Sequence, residues 1–405
     1  DIMKKCLQNM NVLNKRIVLR VDYNVPVVNN QILDDSKIRE SLETIFYLLN
    51  ENCKIVILSH FGKVKNEADK KNKSLQIVAD RLKELVGQEV YFSKENFGAE
   101  VQKRVSIMKP KEILMLENTR FMDVPAKLES NCDMQLALFW SSLGDVFVND
   151  AFASAHRKHA STYGISTFIP SCIGFLMQKE ISMLDRLVIH AIHPFTVIMG
   201  GAKIDDKLTL MESLLPKCEH LLCAGALANT FLKILGFQIG ESVASKNPQV
   251  IEKVRAMLLT YKDKIILPLD CIVGSTYDLN YVKYKLINQV EENEVIYDIG
   301  TKTLQKFQTI IKDSQTIFLN GTVGLYENMK FANGSKELLR IISESKSVSV
   351  AGGGDAASSI HNFGYTDKFT YISSGGGATL EYIGTGNLKA LEAIEEEVEI
   401  ETLDM

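Results

Sequence analysis

Short apolar runs alternate with longer amphipathic stretches along almost the whole chain. Runs of three to five mostly apolar residues predict strands at Arg16–Arg20, Lys54–Leu58, Val90–Phe92, Ile113–Leu116, Val146–Val148, Phe195–Met199, His220–Cys223, Ile265–Leu267, Ile317–Leu319, Val348–Val350 and Phe369–Ile372. Between them, apolar residues recur at helical spacing over Ser36–Leu49, Ser74–Leu85, Asp206–Leu215, Ala226–Leu235, Pro248–Leu259 and Ser335–Ser343. Strands alternating with helices predict βαβ units and parallel sheets. More than ten strands exceed a comfortable single sheet, so two doubly wound α/β lobes are expected. The stretch Gly174–Val188, with Phe175, Leu176, Ile181, Leu184 and Leu187 in register, predicts a helix bridging them. Glu395–Asp404 reads as an acidic surface tail.

In such sheets ligands bind beyond the carboxyl ends of the strands. In the first half those ends carry Asp22 and Asn24, then His60-Phe61-Gly62-Lys63, Arg120, and Asn149, Asp150, His156 and Arg157. This edge is basic and rich in donors, which suits a small anion. In the second half they carry Gly200-Gly201-Ala202-Lys203, Ala224-Gly225-Ala226, Asn320-Gly321-Thr322-Val323-Gly324, Gly352-Gly353-Gly354-Asp355 and Ser373-Ser374-Gly375-Gly376-Gly377. Glycine at strand ends lets backbone N–H groups approach phosphates closely. At Pro194–Lys207 a β-branched and apolar run turns through two glycines into Lys203 and Lys207. A four-residue spacing puts both ammonium groups on one helix face if the helix starts there. The plain alternative is a tight turn with two solvated lysines.

Composition narrows the class. The 405 residues are 46% hydrophobic and 24% charged, as in a soluble globular protein of two or three domains. A net charge of -4 argues against nucleic acid as the main partner. No run approaches a membrane span, so no membrane partner is expected. Seven scattered cysteines form neither a disulfide framework nor a zinc motif, which fits a reducing, cytoplasmic setting. The chain opens on Asp1 rather than a methionine, so its natural start is expected upstream. Neither GxxxxGK[ST] nor GxGxxG occurs, which weighs against a P-loop enzyme and a standard dinucleotide-binding dehydrogenase.

Ten segments, in order, resemble phosphoglycerate kinase. They are Arg20-Val21-Asp22-Tyr23-Asn24-Val25-Pro26, Ser59-His60-Phe61-Gly62-Lys63, Leu116-Glu117-Asn118-Thr119-Arg120-Phe121, Val148-Asn149-Asp150-Ala151-Phe152 with Ala155-His156-Arg157, and Gly174-Phe175-Leu176-Met177. The second half adds Gly200-Gly201-Ala202-Lys203, Ala228-Asn229-Thr230-Phe231, Asn320-Gly321, Gly352-Gly353-Gly354-Asp355 and Gly375-Gly376-Gly377-Ala378. The resemblance implies two Rossmann-like lobes joined by a hinge helix. Residues 1–175 would hold 3-phosphoglycerate or 1,3-bisphosphoglycerate, with 385–405 returning to that lobe. Residues 176–188 would be the interdomain helix, and 189–384 would hold ATP or ADP with Mg²⁺. It further implies a monomer and reversible phosphoryl transfer completed by domain closure.

The resemblance also implies roles. Asp22, Asn24, His60 and Lys63 would bind the acid, with Arg120 and Arg157 on its remote phosphate, since a guanidinium fork matches phosphate oxygens. Lys37, Lys203, Gly375 and Gly376 would serve the transferring phosphoryl group. Gly201, Ala202, Lys203, Lys207, Gly225, Asn320, Gly321, Glu327, Gly353, Gly354, Asp355 and Ala356 would bind the nucleotide, Glu327 at the ribose and Asp355 also holding the Mg²⁺. His156 and His159 stay open between a site role and a structural one; His190, His193, His220 and His361 match no motif, and Trp140 reads as packing.

The chain departs from the family pattern at several points. Lys37 and Lys63 stand where the family has arginine, Val64 and Thr322 where it has proline, and Ala356 where a hydroxyl residue is common. Asp205 adds a negative charge beside the phosphate lysines. A lysine keeps the charge of an arginine but loses the planar fork. Two readings therefore stand: a working phosphoglycerate kinase, or a paralogue that binds nucleotide but turns over poorly. A kinase for a related small acid is a third.

Overall fold

The computed structural model describes residues 3–201 and 203–397. Contacts divide the chain into two compact units, Asp1–Ser182 with Asn387–Met405, and Met183–Gly386. Each is built on a six-stranded, all-parallel sheet.

In the first unit the sheet order is Val90–Ser93, Ile113–Leu116, Lys54–Leu58, Arg16–Arg20, Val146–Asn149, Ser171–Ile173. The central strands are buried on both faces, which is why they read as continuous apolar runs rather than alternating ones. One face packs Ile17, Leu19, Ile55, Ile57, Ile113 and Met115 against the helices Ser36–Glu40, Leu42–Asn50 and Gln76–Val86. The other packs Val18, Val56, Leu58 and Phe147 around Trp140. Trp140 is fully buried and donates its indole N–H to the Asn96 carbonyl at 2.7 Å, in line with a packing role.

The single helix expected over Ser36–Leu49 is two, Ser36–Glu40 and Leu42–Asn50. Between them, Ser41 donates its hydroxyl back to the Ile38 carbonyl at 2.6 Å and shares a 2.7 Å bond with the Tyr23 hydroxyl. A serine side chain bonded to its own turn competes with the helical ladder and breaks it there.

The second unit orders its sheet Ile265–Ile266, His220–Cys223, Phe195–Met199, Thr316–Asn320, Val348–Gly352, Tyr371–Ile372. It also carries a three-stranded antiparallel sheet that the apolar pattern did not predict, Lys283–Leu286, Asp270–Gly274, Val295–Ile299. This sheet is tied to helix Thr301–Asp313 by the Asp270 carboxylate, which accepts from the N–H of Lys302 and Thr303 and from the Tyr284 hydroxyl. A carboxylate at a helix start meets the unpaired N–H groups and the positive end of the dipole.

The helix Phe175–Val188 begins in the first unit and ends in the second. Its start is anchored by Asp150, whose Oδ1 accepts from the Met177 N–H at 3.1 Å. The chain end returns to the first unit: Ala390 N–H donates to the Ala155 carbonyl, and Lys5 N–H donates to the Glu395 carbonyl. Glu396 bridges Lys4, so the acidic end is bonded over Glu395–Glu397 rather than a free surface tail there; 398–405 lie outside the described residues.

Candidate active site

In the first unit, the strand Arg16–Arg20 runs straight into Asp22 and Asn24. Asp22 is nearly enclosed. Its Oδ1 accepts from the Asn24 N–H at 3.0 Å and from Lys37 Nζ at 3.2 Å, and its Oδ2 from the Ser154 hydroxyl at 3.1 Å. Burial alone would raise this carboxyl, but Lys37, the Asn24 N–H and Arg20 together hold it well below the usual carboxylate range. Asn24 Oδ1 accepts from the Gly62 N–H at 2.8 Å, and Arg120 donates to the Gly62 carbonyl at 2.6 Å. The loop after strand Lys54–Leu58 is thereby pinned from both sides.

Arg120 is half-buried and Arg157 exposed. Burial and then the neighbouring Arg157 both disfavour the Arg120 charge. Two guanidinium groups that repel one another make a site with a built-in preference for a dianion. Lys63 is exposed at the same loop. The structure thus brings Asp22, Asn24, Lys37, His60 and Arg120 into one connected group. It also shows two members for which sequence reasoning gave no role. Ser154 bonds Asp22, and Arg20 lies within 3.1 Å of His60 Nδ1. A charged residue closing an otherwise apolar strand was the one available signal for Arg20.

In the second unit, three strand-end loops press together. Gly321 has φ +85, and a Cβ there would fall on the Gly200 carbonyl and lie 2.8 Å from Lys207 Nζ. Only glycine lets these backbones meet. Lys207 is buried beneath them and donates to the Gly200 carbonyl at 2.7 Å. Burial pushes its ammonium down to about 8, with Asp355 and Asp206 pulling the other way. A nearby anion would raise it again.

Lys203 and Lys207 do not share a helix face. Residues Ile204–Asp206 form a tight 3₁₀ turn, the α-helix starts only at Leu208, and Lys207 sits at its N-cap. The tether of Lys207 to Gly200 draws it inward while Lys203 stays exposed. Asp205 is held in place: its Oδ2 accepts from the Ser245 hydroxyl at 3.0 Å.

Asn320 is buried and donates to the Gly352 carbonyl at 2.8 Å, leaving its Oδ1 buried without a partner. Gly353 caps the helix Gly354–Asn362, whose first turn holds the exposed Asp355 and the fully buried Ala356. Glu327 is exposed next to Tyr326, whose hydroxyl is pushed up by burial and by the charges of Glu327 and Asp355. Gly225 has φ +62, and a Cβ there would come within 2.8 Å of the Gly201 N and 2.9 Å of the Thr322 carbonyl. Gly375 N–H reaches the Ser373 hydroxyl at 3.3 Å; Gly376, at φ +55, caps the next helix. Ala202 lies outside the described residues.

A basic, donor-rich edge and a glycine-lined edge, each on its own parallel sheet, narrow the choice of family. The model of the family described as phosphoglycerate kinase matches residues 7–385. The chain belongs to the phosphoglycerate kinase family. It is 40% identical over 400 residues to the phosphoglycerate kinase of Lactobacillus gasseri, covering 96% of this chain and 99% of that one. It is 42% identical over 406 residues to that of Mycoplasma genitalium, with 96% and 98% covered. Its fold matches the solved phosphoglycerate kinase of Coxiella burnetii with a TM-score of 0.87 at 31% identity, over 96% of this chain and 98% of that one. Family membership makes it an enzyme that transfers phosphate, with ATP or ADP as co-substrate. Among the described residues no helix is long and apolar enough to cross a membrane, and all seven cysteines are free.

Proposed function

We propose that the chain catalyses reversible phosphoryl transfer between 1,3-bisphosphoglycerate and ADP, giving 3-phosphoglycerate and ATP. The observation that carries this is the match over residues 7–385 together with both residue sets lying inside it. The working enzyme, rather than a weakened nucleotide-binding paralogue, is the reading retained. The acceptor is a carboxylate. In the direction of ATP use, a carboxylate oxygen of 3-phosphoglycerate attacks the γ-phosphorus while the bond to the ADP oxygen breaks, and that oxygen keeps the electron pair. No covalent enzyme intermediate is involved.

Catalysis of this kind is positioning and charge neutralisation. Arg120 and Arg157 hold the remote phosphate. Asp22 and Asn24 take the hydroxyl, and His60 the carboxylate region, with Lys63 at the rim. Lys37 and Lys203 neutralise the moving phosphoryl, Gly375 and Gly376 offer it N–H groups, and Lys207 holds nucleotide phosphates. Gly201, Gly225, Asn320, Gly321, Gly353, Gly354 and Ala356 shape the nucleotide bed, and Glu327 accepts from the ribose. A cytoplasmic, monomeric enzyme is part of the same reading.

Mg²⁺ belongs to it too. Among the described residues no three metal-ligating side chains cluster. One exposed carboxylate in a helix first turn, Asp355, with the unpartnered Asn320 Oδ1 in the same nucleotide bed, suits an ion that arrives on phosphates and keeps several waters. When bound, Mg²⁺ supplies charge neutralisation on the nucleotide. Asp355→Ala is expected to weaken MgADP binding at least about tenfold while 3-phosphoglycerate binding holds. Calorimetry with each ligand checks this, and equal loss on both would mean misfolding instead.

The direct test is a coupled assay of ATP-dependent phosphorylation of 3-phosphoglycerate with Mg²⁺. No turnover, with MgADP still bound, would remove the kinase reading. Lys37→Arg is expected to raise kcat by up to about tenfold, because a fork bridges two phosphoryl oxygens where an ammonium cannot. Nucleotide affinity should stay put. An unchanged kcat would take Lys37 away from the phosphoryl group.

A further inference from the structure

Among the described residues Arg20 is the largest charged side chain that is fully buried, 1% exposed, and neither substrate reading uses it. A buried guanidinium must spend its five N–H donors on nearby acceptors. Arg20 Nε donates to the Ser161 hydroxyl at 2.9 Å, one terminal nitrogen donates to the Val21 carbonyl, and the other lies 3.1 Å from His60 Nδ1. Behind Ser161 stands Glu129, 0% exposed, which accepts from the Ser161 N–H at 2.8 Å and from its hydroxyl at 2.6 Å. Glu129, Ser161, Arg20 and His60 thus form one buried line of hydrogen bonds that ends at an imidazole.

The direction of the last bond follows from chemistry alone. An arginine has donors only and does not lose its proton in proteins. The nitrogen facing it, Nδ1, must therefore be the acceptor and carry no proton. A neutral imidazole with a bare Nδ1 has its proton on Nε2, and an imidazolium, with both nitrogens protonated, would set two donors against one another.

We propose that Arg20 is a positioning residue for His60: backed by Ser161 and Glu129, it holds the ring as the neutral tautomer with its proton on Nε2, so that His60 meets an anionic ligand as a hydrogen-bond donor and not as a cation. The charged groups around the ring bear this out. Burial above all takes the ring well below its ordinary value; Arg20, Arg120 and Lys37 add to it, and Asp22, which favours a charge, is already engaged by Lys37 at 3.2 Å. The benefit is constancy. A histidine in water changes charge near neutral pH, whereas this one offers the same single N–H throughout that range.

The identity of the ligand rests on the proposed kinase reading; the tautomer does not. The test is the ¹⁵N spectrum of the imidazole nitrogens in the full-length protein from about pH 5.5 to about pH 8, with His60 assigned by its absence from His60→Gln. Nδ1 should resonate as an unprotonated acceptor and Nε2 as a protonated nitrogen over the whole range. In Arg20→Met the ring should titrate, its midpoint moving up by at least about one pH unit toward the ordinary 6.5. A protonated Nδ1 in the native protein, or a tautomer and midpoint unchanged in Arg20→Met, would overturn the proposal. Should Arg20→Met fail to fold, Ser161→Ala cuts the line behind the guanidinium, and an unmoved His60 midpoint there overturns it equally. Adding 3-phosphoglycerate then separates the two claims: a locked ring whose Nε2 signal ignores the ligand leaves the tautomer standing and removes the substrate role of His60.

Discussion

Lys203→Ala is expected to lower the turnover of ATP with 3-phosphoglycerate by about 100- to 1,000-fold, the usual consequence of removing one donor aimed at transition-state charge. The two lysines of the glycine turn are not equivalent, and this difference makes the prediction sharp. Lys207 is buried and tied to the Gly200 carbonyl at 2.7 Å, so it is part of the folded loop cluster. Lys203 is exposed on an extended backbone, φ -56 and ψ 146, just before the 3₁₀ turn. Its truncation removes little packing, so stability should move by no more than about 0.5 kcal/mol. Binding of MgADP should change by less than about tenfold, because the remaining phosphate contacts stay in place. Steady-state kinetics and calorimetry on the same preparation give both numbers. Retention of most of the native kcat would show that Lys203 does not follow the moving phosphoryl. A collapse of MgADP affinity that matched the loss in kcat would make it a ground-state binding residue.

Asp150→Asn is expected to stabilise the first unit at neutral pH relative to the native chain, by up to about 3 kcal/mol. Asp150 is fully buried at the start of the helix Phe175–Val188, and its Oδ2 has no partner. Burial pushes its carboxyl from the ordinary 3.8 up to about 6, against the opposing pull of the Met177 and Leu176 N–H groups and the Thr44 hydroxyl. The sign follows directly. A carboxyl that holds its proton more tightly folded than unfolded makes the folded state lose stability as pH rises from about 4 to about 6, and the full cost is present above that. The carboxamide never ionises, so the gap between the two proteins should open across the same window. The only tryptophan, Trp140, is buried in the same unit, so its fluorescence during urea unfolding reports this unit alone. The transition midpoints should differ by about 1–2 M more at pH 7 than at pH 4. Midpoints that stay parallel across that range would mean Asp150 is ionised in the folded protein at no cost.

The two units were legible in the sequence to different depths. Lys54–Leu58 and Phe195–Met199 were found to the residue, because a strand buried on both faces reads as an unbroken apolar run. The antiparallel sheet around Asp270–Gly274 was not. Its partner Lys283–Leu286 is a half-exposed Lys-Tyr-Lys-Leu strand with no apolar pattern, and the pairing of Asp270–Gly274 with Val295–Ile299 shifts register between Ile272 and Val273. The helix over Ser36–Leu49 was read as one because its periodicity continues through Ser41; the hydroxyl that breaks it turns back onto the Ile38 carbonyl and is shared with Tyr23, a partner outside the helix.

The candidate site divides the same way. Asp22, Asn24, His60, Arg120, Lys203, Lys207 and Asp355 could be singled out from the chain alone, since each closes a strand or opens a helix with a residue type that its neighbours do not need. The sequence by itself determined the fold class, the family and the set of strand-end residues, because apolar periodicity and motif order are properties of nearest neighbours along the chain. Only the tertiary structure decided what each of those residues is bonded to. It buries Lys207 while leaving Lys203 exposed, turns Asp205 onto Ser245, and runs a buried line from Glu129 through Ser161, 141 positions from Arg20, to His60. Those contacts are long-range. The energy of a buried charge depends on which distant donors and acceptors surround it, and a linear pattern carries no record of that.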